Sequence, residues 1–184
     1  MPRLVFHAAD PEFIPANMPA LVNALQQYGF IGEKWNSPSA VKGERYLIGD
    51  AFLSQVTFMG CAPAIELEPI VSQPESTDFC HLEIEPVLDT IKFVRGSDHL
   101  VSRCPLCRQR HANWEVIPQN LRYHCDKCQA DLSLAEFDWK NTAGCGRFFI
   151  SLHGIYPQEA IPTSHLLATM EKITGTAWKY FYIQ

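Results

Sequence analysis

The sequence has no long hydrophobic run. No stretch approaches the roughly 20 apolar residues that a membrane-spanning helix needs. The first residues also lack the apolar core of a secretory signal peptide, because His7, Asp10 and Pro11 interrupt it. These absences disfavour a membrane protein and predict a cytoplasmic one, in which cysteines stay reduced.

The usual catalytic motifs are lacking as well. The sequence contains no P-loop, no G-x-G-x-x-G, no G-x-S-x-G and no H-E-x-x-H. No lysine follows Glu68 or Glu85 at the spacing of the E-x-K strand that metal-dependent nucleases use. We therefore expect a protein that is not an enzyme, and an enzyme with an unrecognised site is the least favoured alternative.

Cations are lacking from one segment of the chain. Residues 61–90 contain no lysine or arginine, and their acidic residues are Glu66, Glu68, Glu75, Asp78, Glu83, Glu85 and Asp89. Residues 92–130 carry a formal charge of +4, although the net charge of the chain is −5. The negative total disfavours nucleic acid as the default partner, since nucleic-acid binding depends on neutralising phosphates.

Four of the seven cysteines form two C-x2-C pairs separated by 17 residues. These four are Cys104, Cys107, Cys125 and Cys128. An odd number of cysteines in a reducing compartment favours metal binding over disulfides, and this spacing predicts a closed tetrahedral site for a structural Zn²⁺. His124 is an alternative ligand, although a histidine beside a cysteine more often faces outwards. Arg108 and Gln129 stand where such turns often carry glycine, which predicts irregular turns.

Two similar stretches contain paired glutamates. AIELEP at 64–69 and HLEIEP at 81–86 alternate apolar residues with glutamates, which is typical of strands with one solvated face. If the two strands are neighbours, their four carboxylates share one surface, which the flanking loops extend. The predicted partner-binding residues are Glu66, Glu68, Asp78, Glu83, Glu85 and Asp89. The alternative is an ordinary solvated face with no binding role.

The order of the predicted elements indicates an α+β fold as a single domain over residues 1–184. One helix is expected after Asn17 and a second after Thr163 or Ser164, each ended by a glycine. The strands between them predict a mostly antiparallel sheet with an N-terminal and a C-terminal helix. A zinc ribbon is predicted as an insert over residues 99–130.

The ribbon offers an alternative function, which is nucleic-acid binding. Its most basic tip contains Arg108, Arg110 and His111, and Trp114 and Tyr123 could stack on bases. We favour a simpler role for these two rings, as the small core of the ribbon itself. The segments NWEVIP and NLRYHC are predicted as the arms of this ribbon.

Several short motifs lie in the C-terminal half and at the start of the chain. They are Cys104-Pro105-Leu106-Cys107, Cys125 with Cys128, Ser133-Leu134 with Phe137 and Trp139, Gly144 with Arg147-Phe148, Leu167 with Met170-Glu171, Trp178 to Tyr182, and Ala8 to Pro15. Together they resemble an uncharacterised family of small bacterial zinc-ribbon proteins. The resemblance implies the fold and the zinc site, and it implies no reaction.

Small acidic proteins of this general kind are similar to the immunity proteins of bacterial toxin systems. The leading hypothesis is therefore a non-catalytic immunity or inhibitor protein that binds a basic partner. The best candidate for that partner is a cognate nuclease toxin, because the groove that holds its DNA must be positive. Carboxylates would enter such a groove by electrostatic complementarity.

Overall fold

The computed structural model describes residues 2–36, 43–59, 65–69, 76–111 and 114–184. The strands in chain order are β1 (Arg3–Ala8), β2 (Ile31–Lys34), β3 (Glu44–Ile48), β4 (Val56–Phe58), β5 (His81–Ile84), β6 (Lys92–Arg95), β7 (Ser102–Arg103), β8 (Arg110–His111), β9 (Arg122–His124), β10 (Asp131–Ser133), β11 (Ala143–Gly146), β12 (Phe149–His153), β13 (Ala160–Pro162) and β14 (Trp178–Ile183). The helices are α1 (Met18–Gln27), α2 (Phe52–Gln55) and α3 (Ser164–Thr174), with a 3-10 turn at Leu134–Glu136.

A six-stranded sheet in the order β14-β1-β12-β5-β3-β2 forms the main layer. Its neighbouring strands are all antiparallel. The two ends of the chain meet in this sheet, because β1 lies between β14 and β12. The prediction of an α+β fold with a mostly antiparallel sheet is therefore confirmed.

Helices α1 and α3 begin and end where capping residues occur in the sequence. Asn17 Oδ1 accepts a hydrogen bond from Ala20 N at 3.0 Å, and Thr163 Oγ1 accepts one from Leu166 N at 3.2 Å. Gly175 ends α3 in the left-handed conformation, with φ of 75°. Their buried faces join the core on one side of the sheet through Leu21, Leu25, Leu166 and Met170.

A second, smaller core lies in the ribbon region. Strands β6 and β11 pair with each other and bring the two ends of this region together. The buried residues of the second core are Leu100, Cys104, Trp114, Cys125, Leu132, Leu134, Phe137, Trp139, Ala143 and Cys145. The packed unit therefore extends beyond the predicted insert at 99–130.

Two predicted strands are corrected by the structure. Residues 65–69 of AIELEP form no strand, and neither do residues 114–118 of NWEVIP. Strand β5 already has β12 on one side and β3 on the other, so no edge of β5 is free for the first of these segments. A single backbone bond from Cys80 N to Glu66 O, at 2.7 Å, holds that segment beside the start of β5. The described residues contain no helix with the length and apolarity needed to cross a membrane.

Candidate metal centre and charged surfaces

Each cysteine pair lies on a tight turn between two short strands. The first turn joins β7 to β8 and is closed by a bond from Arg108 N to Cys104 O at 3.0 Å. The second joins β9 to β10 and is closed by a bond from Gln129 N to Cys125 O at 2.8 Å. The expectation of irregular turns is wrong, because Arg108 and Gln129 adopt the same left-handed conformation that glycine would, with φ of 60° and 61°. That conformation costs roughly 1–2 kcal/mol for a non-glycine residue.

The four cysteine sulfurs lie within 4.8 Å of one another. Cys104 Sγ and Cys128 Sγ are 3.8 Å apart, and Cys107 Sγ and Cys125 Sγ are 3.7 Å apart. Four sulfurs at about 2.3 Å from a tetrahedral Zn²⁺ would be roughly 3.8 Å from each other. The cluster can thus hold a metal ion, and its geometry is compatible with zinc. Because all four positions are protein thiols, no coordination position is left for water.

The buried His111 contacts one cysteine of this cluster. His111 is 9% exposed, and its Nε2 lies 3.6 Å from Cys125 Sγ. Its Nδ1 lies 3.3 Å from the hydroxyl of Tyr123. One tautomer satisfies both contacts, with Nε2–H donating to the sulfur and Nδ1 accepting from Tyr123. The backbone N–H of Cys128, together with that of Lys127 and with His111, lowers the pKa of Cys125 to about 6, which favours the thiolate that a metal binds.

The ribbon aromatics form the core of this region. Trp114 is 3% exposed, and its ring centroid is 4.8 Å from those of both Tyr123 and Trp139. The interpretation of Trp114 and Tyr123 as a small internal core is confirmed. His111 belongs to the same group of rings, so its predicted role as an exposed contact to nucleic acid is wrong.

The other histidine and cysteine candidates of the sequence are not part of the described cluster. His124 is exposed, and its Nε2 contacts Gln129 Oε1 at 3.0 Å. Cys80 and Cys145 are buried, and burial raises the pKa of each thiol to about 12. Both behave as packing residues. Cys61 lies outside the described residues.

The structure divides the predicted acidic surface. Glu66, Glu68 and Asp78 are exposed near the start of β5, and none of them forms an ion pair within the described ranges. Asp89 is exposed beyond the other end of that strand. Cys80 lies beside Glu66, and the half-buried Glu85 follows Cys80 by five positions. Five residues of extended chain span roughly 16 Å, so Glu85 is distant from Glu66.

Glu83 faces the interior and not a solvated surface. Its Oε2 lies 3.3 Å from Arg45 Nε and 3.1 Å from His153 Nε2. The side chains of Glu83 and Arg45 are 14% and 9% exposed. The ring nitrogen of His153 is not aligned for a hydrogen bond, so its contact with Glu83 is mainly electrostatic. The neighbouring His153, and also Arg45, lower the pKa of Glu83 to about 2 although burial opposes them.

His81 completes this network on the same face of the sheet. Its ring stacks on His153 with centroids 4.6 Å apart and planes 3° apart. Its Nδ1 donates to Phe79 O at 2.9 Å. Burial, with help from His153, lowers the pKa of His81 to about 4, so the imidazole is neutral at pH 7.

Glu85 accepts a hydrogen bond from Ser151 Oγ at 2.6 Å.

Only part of this network can be recognised in the sequence. The alternation in HLEIEP shows that Glu83 and His81 share a face, but their partners come from β3 and β12. Arg45 is 38 residues away from Glu83 along the chain. A cation is therefore close to Glu83 in space although residues 61–90 contain none.

At the ribbon tip, Arg108 and Arg110 are exposed, as predicted. Neither forms an ion pair with another residue of the described chain. The nearby Arg122 is paired with Asp131 at 2.7 Å. The exposed positive charge of the tip is thus carried mainly by Arg108, Arg110 and Lys127.

Comparison with models of known families, with curated proteins and with solved structures found no match to this chain. The resemblance to small bacterial zinc-ribbon proteins stays a prediction for that reason. The metal cluster, the buried ion pair and the charged surfaces are what the molecule itself offers for an inference of function.

Proposed function

We propose that this chain is a non-catalytic binding protein, stabilised by a structural zinc ion, that inhibits a basic partner protein. The best candidate for that partner is a nuclease toxin, for which the chain would act as the immunity protein. Four thiolates around one ion support a structural role for the metal, because such a site leaves no position for a reacting water. Zinc is the metal that suits four thiolates in a tetrahedron.

The observation that carries the proposal is the set of three exposed carboxylates, Glu66, Glu68 and Asp78, near the start of β5. The bond from Cys80 N to Glu66 O brings Glu66 close to Asp78, and Glu68 follows two residues after Glu66. Their lack of ion pairs in the described chain leaves their charge available to a partner. Glu159 adds to the negative potential at this end, since it helps to raise the pKa of Cys80.

The proposed surface is smaller than the one expected from the sequence. Glu83 has its charge balanced internally by Arg45, and Glu85 and Asp89 lie towards the opposite end of β5. We therefore assign partner contact to Glu66, Glu68 and Asp78. These carboxylates would occupy positions that phosphates take in the positive groove of the partner, and would accelerate association.

The test is a pull-down from lysate of the native host with the tagged chain, read by quantitative mass spectrometry. Glu66→Lys with Glu68→Lys should lose a basic protein that the unmodified chain retains. Glu115→Lys with Glu171→Lys is the matched control, because both residues are exposed and the net charge changes equally. The captured protein should show nuclease activity that the unmodified chain inhibits. Retention of the same proteins by both double variants would contradict the proposal.

Nucleic-acid binding through the ribbon tip is the second candidate. It is supported by the exposure of Arg108 and Arg110, which form no ion pair in the described chain. It predicts retention of DNA or RNA in a gel shift at low salt, lost in Arg108→Glu with Arg110→Glu. An unretarded nucleic acid at low salt would remove this candidate.

A further inference from the structure

Two large apolar side chains are exposed beside the carboxylates at the start of β5. Met59 follows β4 and Tyr156 follows β12, and each is 62% exposed. Met59 N donates to Glu159 O at 2.8 Å, and Glu159 N donates to Tyr156 O at 3.1 Å. Because both residues are bonded to the backbone of Glu159, they are neighbours on the surface. We call this pair, Met59 and Tyr156, the apolar patch.

A tight turn over residues 156–159 holds Tyr156. The bond from Glu159 N to Tyr156 O closes this turn, Pro157 takes its second position, and Gln158 takes the third with φ of 65°. This combination is typical of a type II turn. Glu159 Oε2 also accepts a hydrogen bond from Tyr156 N at 3.1 Å. The two bonds fix the backbone that carries the tyrosine ring, so that little backbone freedom is left to lose on binding.

The apolar patch borders the carboxylates assigned to partner contact. The backbone of Gly154 lies so close to Phe79 and Cys80 that a Cβ on Gly154 would be 3.2 Å from Phe79 O and 3.3 Å from Cys80 Cα. Cys80 N in turn donates to Glu66 O at 2.7 Å. Tyr156 follows Gly154 by two residues, which span at most about 7 Å. The tyrosine is therefore close to Glu66.

The charge at this end of the sheet is negative. Glu66, Asp78 and Glu159 form no ion pair with any residue in the described ranges. A surface that covers the patch must therefore bring positive charge to its border. A second copy of this chain is disfavoured, because a two-fold contact would bring the same carboxylates against each other. An anionic membrane is disfavoured for the same reason.

We propose that the apolar patch is the centre of the surface that contacts the basic partner, with Tyr156 as its anchor. The ring of Tyr156 enters an apolar recess of the partner, Met59 packs beside it, and Glu66 and Asp78 face cations that border the recess. The inference rests on the proposed function and adds an apolar contact to it.

The patch has the composition that this role requires. Tyrosine and methionine are enriched in the cores of protein interfaces, which polar rims surround. A few such anchors supply most of the binding free energy. A groove that binds nucleic acid offers the matching chemistry, since it combines cations for phosphates with aromatic sites for bases.

The experiment is calorimetric titration of the full chain with the purified basic protein that the pull-down retains. Tyr156→Ala should weaken the affinity at least ten-fold, and Met59→Ala should weaken it less. Tyr156→Phe should keep the affinity within about two-fold, because the ring is retained. Val116→Ala is the control, since it removes an apolar side chain that is 82% exposed and belongs to the ribbon. Equal affinities of Tyr156→Ala and Val116→Ala would overturn the inference.

Failure of this inference differs from failure of the proposed function. If Glu66→Lys with Glu68→Lys loses the partner and Tyr156→Ala keeps it, the carboxylates act alone and only the apolar anchor is overturned. If the unmodified chain retains no basic protein, both are overturned.

Sedimentation of the chain alone tests the other occupant. A monomer is expected, and self-association that Tyr156→Ala abolishes would assign the patch to a second copy and overturn the inference. Thermal unfolding checks that the variant is folded, because loss of an exposed side chain should leave the unfolding temperature unchanged.

Discussion

The sheet and the ribbon each bring together groups that can carry negative charge, and they balance that charge differently. In the sheet, the carboxylate of Glu83 is balanced by the guanidinium of Arg45. In the ribbon, four cysteine sulfurs converge on a point at which a metal cation would balance their thiolates. The sheet therefore carries its own counter-charge, whereas in the ribbon a metal ion from solution would supply it.

The amount of apolar packing follows the same division. The core beneath the sheet includes large aromatic side chains such as Phe6, Phe30 and Phe148, which are all at most 1% exposed. The strands that carry the cysteine turns are only two or three residues long. Strands that short are marginal without a cross-link. The comparison predicts that a bound metal adds to the packing of the second core in stabilising the ribbon, whereas packing alone stabilises the sheet.

Removal of the metal should produce the largest difference between the ribbon and the sheet. Chelation is expected to unfold the ribbon region and leave the sheet folded, because structural zinc supplies about 10–16 kcal/mol in small zinc modules. Hydrogen exchange read by mass spectrometry should show lost protection over residues 102–133 and retained protection in β1 and β12. Cys125→Ser should act like chelation, whereas Cys80→Ala should keep the metal. A chelated protein that is shown to be metal-free and still protects 102–133 would contradict this view.

The buried ion pair gives the next largest effect. Glu83→Gln removes one charge of the buried pair with Arg45, whose atoms lie 3.3 Å apart, and loss of one member of a buried pair costs about 3–5 kcal/mol of unfolding free energy. Arg45→Met combined with Glu83→Gln should recover a large part of that loss, because both charges of the buried pair are then absent. Urea denaturation measures both, and Glu68→Gln at an exposed site should change stability by less than about 0.5 kcal/mol. Similar values for Glu83→Gln and Glu68→Gln would show that the pair does not stabilise the sheet.

Acid should destabilise the sheet through its buried histidines. The pKa values of His7 and His81 are about 4 in the folded chain and 6.5 ordinarily, so only the unfolded chain binds these protons between the two values. Stability is therefore full above pH 6.5 and falls as pH decreases towards 4, by about 2 kcal/mol per histidine at pH 5. The lowered pKa of Glu83 acts in a lower window, where stability is lost as pH falls from 4.5 towards 2.

Urea denaturation at pH 7 and pH 5 measures this loss. His81→Gln should reduce the difference between the two pH values, whereas His165→Gln, at an exposed position of α3, should keep it. Any acid release of the metal is common to all three proteins and cancels in the comparison. An unchanged difference in His81→Gln would mean that its protonation does not limit stability.

The smallest expected effect separates two histidines of the ribbon. His111→Gln removes the contact to Cys125 Sγ and should weaken metal affinity by about 10- to 100-fold, as losses of such supporting residues do. His124→Gln should leave the affinity unchanged, because His124 contacts only Gln129 among the described side chains. Competition with a chromophoric chelator measures both. Equal affinities of the two variants would place the support of Cys125 elsewhere.

Much of this architecture could be predicted because it depends on short-range interactions. Asn17, Thr163 and Gly175 act on backbone groups within a few residues of themselves, so the helix ends follow from local sequence. The C-x2-C spacing likewise places both sulfurs of each turn together without help from the rest of the fold. The meeting of the two turns depends on how the β7–β8 and β9–β10 hairpins pack against each other, since they lie in separate two-stranded sheets.

The residues that failed prediction depend on strand pairing. AIELEP has the alternation of a strand, but β3 occupies the place beside β5 that it would need. HLEIEP is a strand, yet its Glu83 is turned towards Arg45 and His153. His111 and His124 both lie near a cysteine pair, and only the packing of Tyr123 and Trp114 makes the first of them the supporting residue.

The sequence by itself determined the two capped helices and the placement of two cysteines on each tight turn, because each rests on contacts between near neighbours in the chain. The tertiary structure alone decided which carboxylates meet a cation and which stay exposed. That choice depends on the order of strands in the sheet, which brings residues from distant segments into register and which no local pattern encodes.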